Sequence, residues 1–333
     1  MTGSVLVTGA TGLLGRTVAL TLAARGDSVT VMQRGDSALP LRQVRGDLND
    51  PQARAAALEG VDRVIHCAAK VSINGPESEF SRINIEGTAA LLTSAQERGV
   101  HSFVHVSTPS VAHSGSALHG VGAQPADPQG ARGSYARTKA EAELIALAAS
   151  REGFAVCAIR PHLVWGPGDE QLIGRIVKRA SAGRLFLVDH GYALIDSTYI
   201  DNAADALIAA LDTCTDNAGR AFVISNGEPR TVSELLERIC VAAGQAPPTR
   251  SVPASVAFRA GLVAERLWGE SEPPLTSFLV EQLATAHWFD QRQARSALNW
   301  TPAVSLEQGF ERLAQYYGTR VDPPSTAMRV PVT

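Results

Sequence analysis

Up to about residue 165, short β-branched runs alternate with longer stretches of helical periodicity. That alternation is how a parallel sheet with crossover helices is written in sequence. The runs predict strands over Ser4–Val7, Ser28–Met32, Val44–Gly46, Arg63–His66, Ser102–Ser107 and Ala155–Arg160. Between them the spacing predicts helices over Leu13–Arg25, Pro51–Leu58, Glu79–Arg98 and Tyr135–Arg151, with Gly26 and Gly99 placed as the C′ glycines that end two of them. Near-continuous apolar strands flanked by amphipathic helices imply an α/β fold, a doubly wound parallel sheet of Rossmann type. Beyond Pro167 the pattern loosens into proline-marked loops at Pro247, Pro248, Pro273 and Pro274 and helical stretches over Thr231–Ala243 and Pro253–Trp268. The expected division is a sheet domain over residues 1–166, a smaller C-terminal lobe over 167–325 that returns some strands or helices to the sheet, and a flexible tail over 326–333.

Composition narrows the function. The 333 residues are 45% hydrophobic and 19% charged, and 30 basic against 33 acidic side chains leave a net charge of -3. Such a chain is not disordered, and it lacks the basic footprint that a nucleic-acid partner requires. Met1 and Thr2 lead directly into the first strand and no run of about 18 apolar residues follows, so a soluble, cytoplasmic protein is expected. Cys67, Cys157, Cys214 and Cys240 are scattered without ligand spacing and read as small core hydrophobes. His101, His105, His113 and His119 cluster around the fifth strand, but their spacing does not recur on a carboxylate-rich face, so no metal site is expected.

The first strand runs into Thr8-Gly9-Ala10-Thr11-Gly12-Leu13-Leu14-Gly15 and then an apolar helix, the strand, turn and helix context of a dinucleotide site. Gly9 makes the tight turn, Gly12 lets backbone N–H groups approach a pyrophosphate, and Gly15 lets helix and strand pack closely. The helix N-terminus supplies positive potential. Thr11, Leu13 and Leu14 belong to the same turn and count with it as cofactor-binding candidates. At the end of the second strand, where an acid would hold a ribose 2′-hydroxyl, stand Gln33 and Arg34. A guanidinium suits a 2′-phosphate, which favours NADP(H) over NAD(H), although Asp36 is close enough to oppose it if the loop folds back. Asp47-Leu48 after the third strand is placed to bracket adenine and Ala68-Ala69 after the fourth to lie against a sugar. Lys70, and Pro161, Leu163 and Val164 after the sixth strand, complete the cofactor-binding candidates.

Tyr135 and Lys139 stand four apart at the start of a helix, on one face. That spacing lets the ammonium sit beside the phenol and lower its pKa, so that the tyrosine can exchange a proton with a carbonyl or hydroxyl group. The fifth strand ends in Ser107 and Thr108, whose hydroxyls reach the same region.

Together these motifs resemble the extended short-chain dehydrogenase/reductase family. The resemblance is carried by Thr8 to Gly15, Asp47-Leu48, His66-Cys67-Ala68-Ala69, Asn84-Ile85-Glu86-Gly87-Thr88, the hydroxyl pair before Tyr135 and Lys139, and Arg160-Pro161 leading to Trp165-Gly166-Pro167-Gly168. Tyr199 to Asp205 and Val304 to Gly309 extend it over essentially the whole chain. By position it implies that Thr108 stands for the usual catalytic serine, with Ser107 its rival, Tyr135 for the acid/base and Lys139 for the ribose-binding lysine, with Asn84 supporting a proton relay. Ser72, Ser110, His162 and Trp165 are substrate candidates, the last two equally placed to pack under the lobe.

Within the family the chain is similar to the 3β-hydroxysteroid dehydrogenase-like branch, and inside it to the bacterial 2-alkyl-3-oxoalkanoate reductases of olefin and β-lactone biosynthesis. The stretches Gln33 to Asp36, Ser107 to Val111, Arg160 to Asp169, Ile224 to Pro229, and Pro274 to Thr276 through His287-Trp288 carry that likeness. It implies NADPH-dependent reduction of the 3-keto group of a hydrophobic small-molecule substrate to the 3-hydroxy acid. The alternatives are an NAD(P)-dependent 3β-hydroxysteroid or sterol dehydrogenase and, from another class, a non-catalytic NADP-binding sensor or scaffold. A homodimer through the helices after Phe80 and Tyr135, as in relatives, is expected, with pathway enzymes as further partners. The Pro253–Trp268 helix reads as core packing or, alternatively, as a weak membrane or lipid-surface contact.

Overall fold

Successive residues of the central strands point to opposite faces, and both faces are covered. In the first strand, β1 (Ser4–Thr8), Val5 and Val7 enter one apolar core and Leu6 the other, all with no exposed surface. The same alternation runs through β2 (Ser28–Gln33), β4 (Arg63–His66), β5 (Ser102–Val106) and β6 (Ala155–Pro161), while β3 (Arg42–Arg45) and β7 (Ala221–Ile224) form the edges. These seven strands make one parallel sheet in the order β7-β6-β5-β4-β1-β2-β3. The computed structural model describes residues 3–72, 75–113, 115–268 and 275–320. The tail expected over 326–333, and Pro273 and Pro274, lie outside the described residues.

One face is covered by α1 (Leu13–Ala24), α7 (Ile200–Asp212) and α11 (Arg292–Leu298), the other by α2 (Pro51–Ala57), α4 (Gly87–Glu97) and α5 (Gly133–Ala148). Gly26 (φ +95°) and Gly99 (φ +78°) close α1 and α4 in the left-handed conformation that glycine alone adopts without strain. The strand order reverses between β1 and β4, and in such sheets ligands bind at the carboxyl ends beside that point.

The single helix expected over Glu79–Arg98 is interrupted. A short α3 (Glu77–Phe80) passes through a π-type turn at Ser81–Glu86 into α4. Such turns are frequent at functional sites, and this one contains Asn84. A second difference is at the lobe: its four-stranded sheet runs in the order Arg230–Thr231, Leu194–Ile195, His287–Phe289, Leu118–Val121, and the last of these, paired with His287–Phe289, is a segment lying between β5 and α5. Leu118-His119-Gly120-Val121 has no alternation that would announce a strand. The lobe is completed by α6 (Ile173–Ser181), α8 (Val232–Ala242), α9 (Ala254–Leu267), α10 (Ser277–Ala284) and α12 (Leu306–Arg320). Residues from the second half return to the sheet as β7, α7 and α11. Among the described residues no helix is long and apolar enough to cross a membrane.

Candidate active site

The glycine turn is shaped by contacts that leave no room for a side chain. A Cβ on Gly9, which sits at φ +78°, would lie 2.8 Å from the backbone of Ala68, and one on Gly15 would lie 2.5 Å from the Gly9 carbonyl oxygen. Gly12 differs, since its added Cβ would meet only ordinary contact at 3.5 Å. It is exposed, serves as the N-cap of α1 without a capping side chain, and no acid occupies the first turn. The orphan N–H groups of the first turn are therefore left for an anion. Exposed Thr11 packs against Gly35, its methyl 4.0 Å from that glycine's added Cβ, while Leu13 and Leu14 are half-buried against the lobe core.

Beside this turn Arg34 is exposed at the end of β2, and Gln33, next to it, is buried with both polar atoms of its amide unpaired. Asp36 does not oppose the guanidinium: it pairs with Arg45 and accepts from the Ala38 N–H at 2.9 Å. The acid of the adenine region is likewise occupied. Asp47 pairs with Arg82 at 3.2 Å and accepts from Asn49, and the neighbouring Leu48 is largely a core residue of the α2 and α4 side. Burial pushes the Asp47 carboxyl up, but the Asn49 N–H and then Arg82 outweigh it and hold the group below its ordinary range.

Ala68, Ala69 and Lys70 continue β4 along the same edge, half-buried. The Ala68 N–H donates to Thr8 Oγ1 at 3.1 Å, and Thr8 Oγ1 lies 2.7 Å from His66 Nδ1. His66 is buried, and desolvation followed by the charge of Lys139 pulls its pKa down to about 3. Lys70 is tied to Glu79 at 2.6 Å and lies over the Phe80 ring. Asn84, expected in a proton relay, is spent on structure instead: Oδ1 accepts from the Lys70 N–H at 2.8 Å and Nδ2 donates to Thr138 Oγ1 at 3.1 Å and to the Lys70 carbonyl. Its side chain thus stitches the β4 edge to α5.

Tyr135 and Lys139 lie on α5, and the Thr108 hydroxyl hydrogen-bonds the Tyr135 phenol. Thr108 also donates to Ser110 Oγ at 3.3 Å. Ser107, the rival hydroxyl, is buried with its Oγ unpaired, so the structure joins Thr108, not Ser107, to the tyrosine. Lys139 is not placed as the spacing suggested. Its Nζ donates to the Val106 carbonyl at 2.6 Å and to His105 Nε2, 3.3 Å away, and it contributes nothing to the phenol's titration. Burial pushes Tyr135 up to about 12, only partly offset by the Thr108 hydrogen bond, and burial likewise draws Lys139 down to about 8. The expected lowering of the tyrosine is thus absent, because desolvation outweighs a lysine directed at a main-chain carbonyl and a neutral imidazole.

Two substrate candidates take the packing position that was their stated alternative. Trp165 is buried, stacked on Phe310 with its indole N–H donating to Ser197 at 3.1 Å, and His162 is buried against His287 and Phe289 with Nδ1 on the Asp196 carbonyl at 2.6 Å. Both pack under the lobe. Ser72 and Ser110 are half-buried near the strand ends. Pro161 ends β6, Val164 pairs with Thr198, and between them Leu163 takes a left-handed φ of +41°, strain that β-branch-free leucine accepts at a strand end. Among the described residues no cluster of metal-ligating side chains occurs. Arg160 was read only as part of a motif and Glu143 not at all, yet their buried ion pair joins α5 to β6, with Arg160 Nε 2.8 Å from Glu143. The signal was there: an arginine in an otherwise apolar strand must find a partner.

An uncapped α1, two glycines that admit no Cβ, and the buried unpaired groups of Gln33 and Ser107 fit a dinucleotide lying across the edge from β2 to β5. With a tyrosine, threonine and lysine set at one end, the arrangement defines a coenzyme-dependent oxidoreductase. Residues 5–225 match the NAD dependent epimerase/dehydratase family, and the chain belongs to that family, within the extended short-chain dehydrogenases/reductases. It is an NAD(P)-dependent oxidoreductase. It is 40% identical over 323 residues to the 2-alkyl-3-oxoalkanoate reductase of Stenotrophomonas maltophilia (strain K279a), covering 93% of this chain and 98% of the other. The 2-alkyl-3-oxoalkanoate reductase of Shewanella oneidensis is 34% identical, over 92% of this chain and 84% of its own. Among solved structures, MoeE5 in complex with UDP-glucose and NAD aligns with a TM-score of 0.75 at 25% identity, covering 96% of this chain and all of the other.

Proposed function

We propose that the protein is an NADPH-dependent ketoreductase that converts a hydrophobic 2-alkyl-3-oxoalkanoate to the 3-hydroxy acid. The observation that carries this reading is the likeness to reductases of that name over nearly the full length of both chains. The site supports it. The reduced coenzyme, when bound, supplies the hydride that reaches C3 of the substrate. Tyr135 gives its phenolic proton to the carbonyl oxygen as the C–O bond becomes single, and solvent returns a proton to the phenolate. A phenol held near pKa 12 carries that proton throughout the neutral range. Thr108, already bonded to the phenol, steadies the same oxygen. Lys139 uses two of its three hydrogens on Val106 and His105 and keeps one for the coenzyme ribose.

The NADP preference rests on Arg34, exposed beside the glycine turn with the nearby Asp36 drawn off by Arg45. A homodimer through α4 and α5 is supported by Leu144 and Ile145, large apolar residues that α5 exposes. It is checked by light scattering, where a monomeric mass at micromolar concentration overturns it. A lipid-surface contact would use α9, which turns Ala257, Gly261 and Ala264 inward and leaves Val256, Val263 and Leu267 exposed.

The test is coenzyme oxidation by the purified protein with 2-alkyl-3-oxoalkanoates, sterol ketones and UDP-sugars in parallel. Turnover confined to the first class, faster with NADPH than NADH, is expected. Turnover only of sterols or only of UDP-sugars overturns the substrate assignment.

A further inference from the structure

Lys139 works from inside the protein, only 3% exposed. The titratable groups facing it are neutral on almost every side. His105 on β5 and His66 on β4 are kept uncharged by burial, Cys67 beyond β4 has its thiol pushed up to about 12 by burial, and Tyr135 on the same helix stays protonated. The exception is Glu143, one turn further along α5 and fully buried. Its Oε2 accepts from Arg160 Nε at 2.8 Å, its Oε1 from a terminal nitrogen of the same guanidinium, and the other terminal nitrogen donates to the Gln124 carbonyl at 2.7 Å. Arg160 is itself only 2% exposed. Burying an ion pair so deeply seldom adds net stability. Its place, with one end on the helix of Tyr135 and Lys139 and the other on the strand beside it, gives it another use.

We propose that Glu143, clamped by Arg160, is a positioning residue: it fixes α5 against β6 and sets a negative charge one turn from the Lys139 ammonium, so that the lysine meets the coenzyme as a cation. The Lys139, Glu143 and Arg160 charges sum to one positive charge in the core. Without Glu143 two buried cations would remain with no anion between them, and Lys139, already drawn down to about 8 by burial with Glu143 acting against that fall, would be the one to lose its proton. The inference rests on the coenzyme reading of Lys139 and not on the substrate.

The test follows coenzyme binding by fluorescence from pH 6 to 10, in the native protein and in Glu143→Gln, which keeps the shape and removes the charge. Native affinity should fall above about pH 8. In Glu143→Gln the fall should begin about one pH unit or more lower, the shift usual for loss of a close opposite charge. Should the single variant fail to fold, Glu143→Gln combined with Arg160→Gln removes both charges, so that Arg160 is not left without its partner, and an acid shift in the same direction, smaller because the repulsion of Arg160 goes with it, is expected. Glu143→Asp should return the midpoint to the native value while weakening binding at every pH. A lower affinity with an unmoved midpoint, in either Gln variant, overturns the proposal. A wrong substrate would show as absent turnover with these binding curves unchanged.

Discussion

The glycine turn and the catalytic helix lie on one edge of one sheet and are built on opposite principles. From Thr8 to Gly15 no charged side chain takes part, and the site is made by absence: Gly9 and Gly15 admit no Cβ, and α1 begins with no cap. From Tyr135 to Glu143 the site is made by presence, with Lys139, Glu143 and Arg160 buried together and histidines kept neutral around them. A ligand phosphate needs donors that are rigid and unspent, which backbone N–H groups at a helix start provide. Proton transfer needs groups whose charge is set by their surroundings, which only buried side chains provide. The first region should therefore fail on addition of atoms and the second on loss of them.

The largest effect belongs to the second region. Tyr135→Phe keeps the ring and its packing and removes the proton donor, so the rate of reduction should fall by roughly 10²- to 10⁴-fold. Coenzyme affinity, read by fluorescence titration, should hardly change. Near-normal turnover would remove the tyrosine from its role and assign the proton transfer to another group.

In the first region the matching change is an addition. Gly15→Ala places a methyl group 2.5 Å from the Gly9 carbonyl oxygen, and Gly9 cannot retreat because it already abuts Ala68. Overpacking of this kind costs about 1 to 3 kcal/mol. A denaturant midpoint shifted by that amount, with weakened coenzyme binding, is expected, and native stability in the variant would show that the turn yields after all. Arg34→Ala tests the guanidinium beside the glycine turn. NADPH should bind more weakly by about 1.5 to 3 kcal/mol, the range for a hydrogen bond to a charged group, with NADH affected little. Equal loss for both coenzymes, or equal affinity of the native protein for both, would detach Arg34 from the 2′-phosphate.

The same contrast explains what could be read from the sequence. Glycines at Gly9, Gly12 and Gly15 announce themselves by spacing because their function is local, and the six expected strands of the sheet follow from β-branched runs. Tyr135 and Lys139 were legible as a pair on one helix face. The orientation of Lys139 toward Val106 and His105 was not, because those partners come from a strand some 30 residues earlier and only the folded register brings them together. Asn84 was legible as a site residue, but its use in tying Lys70 to Thr138 depends on a π-type turn that no periodicity reveals. Leu118–Val121 and Ala221–Ile224 were missed as strands for a related reason: each is four residues long and is defined by the sheet edge that accepts it. Motif position left His162 and Trp165 equally placed for the substrate or for packing, and they turn inward because an imidazole and an indole with partners at Asp196 and Ser197 complete the lobe's packing.

The smallest expected effect separates the two hydroxyls at the end of β5. Thr108 is bonded to Tyr135 and Ser110, whereas Ser107 Oγ is buried without a partner in the protein. An unsatisfied buried hydroxyl gives up its hydrogen bonds to water and receives nothing in return, so deleting it should be neutral or stabilising by up to about 1 kcal/mol in the ligand-free protein. Ser107→Ala should therefore unfold at the same or slightly higher denaturant concentration. If the hydroxyl is kept for the bound coenzyme, the variant should lose a few-fold in coenzyme affinity while its single-turnover rate holds. Thr108→Ala should do the reverse, slowing the chemical step with coenzyme affinity intact, because its hydroxyl touches the proton donor. A Ser107→Ala variant whose chemical step slows as much as that of Thr108→Ala would return the catalytic role to Ser107 and show that the Thr108 hydrogen bond to Tyr135 serves only to hold the phenol in place.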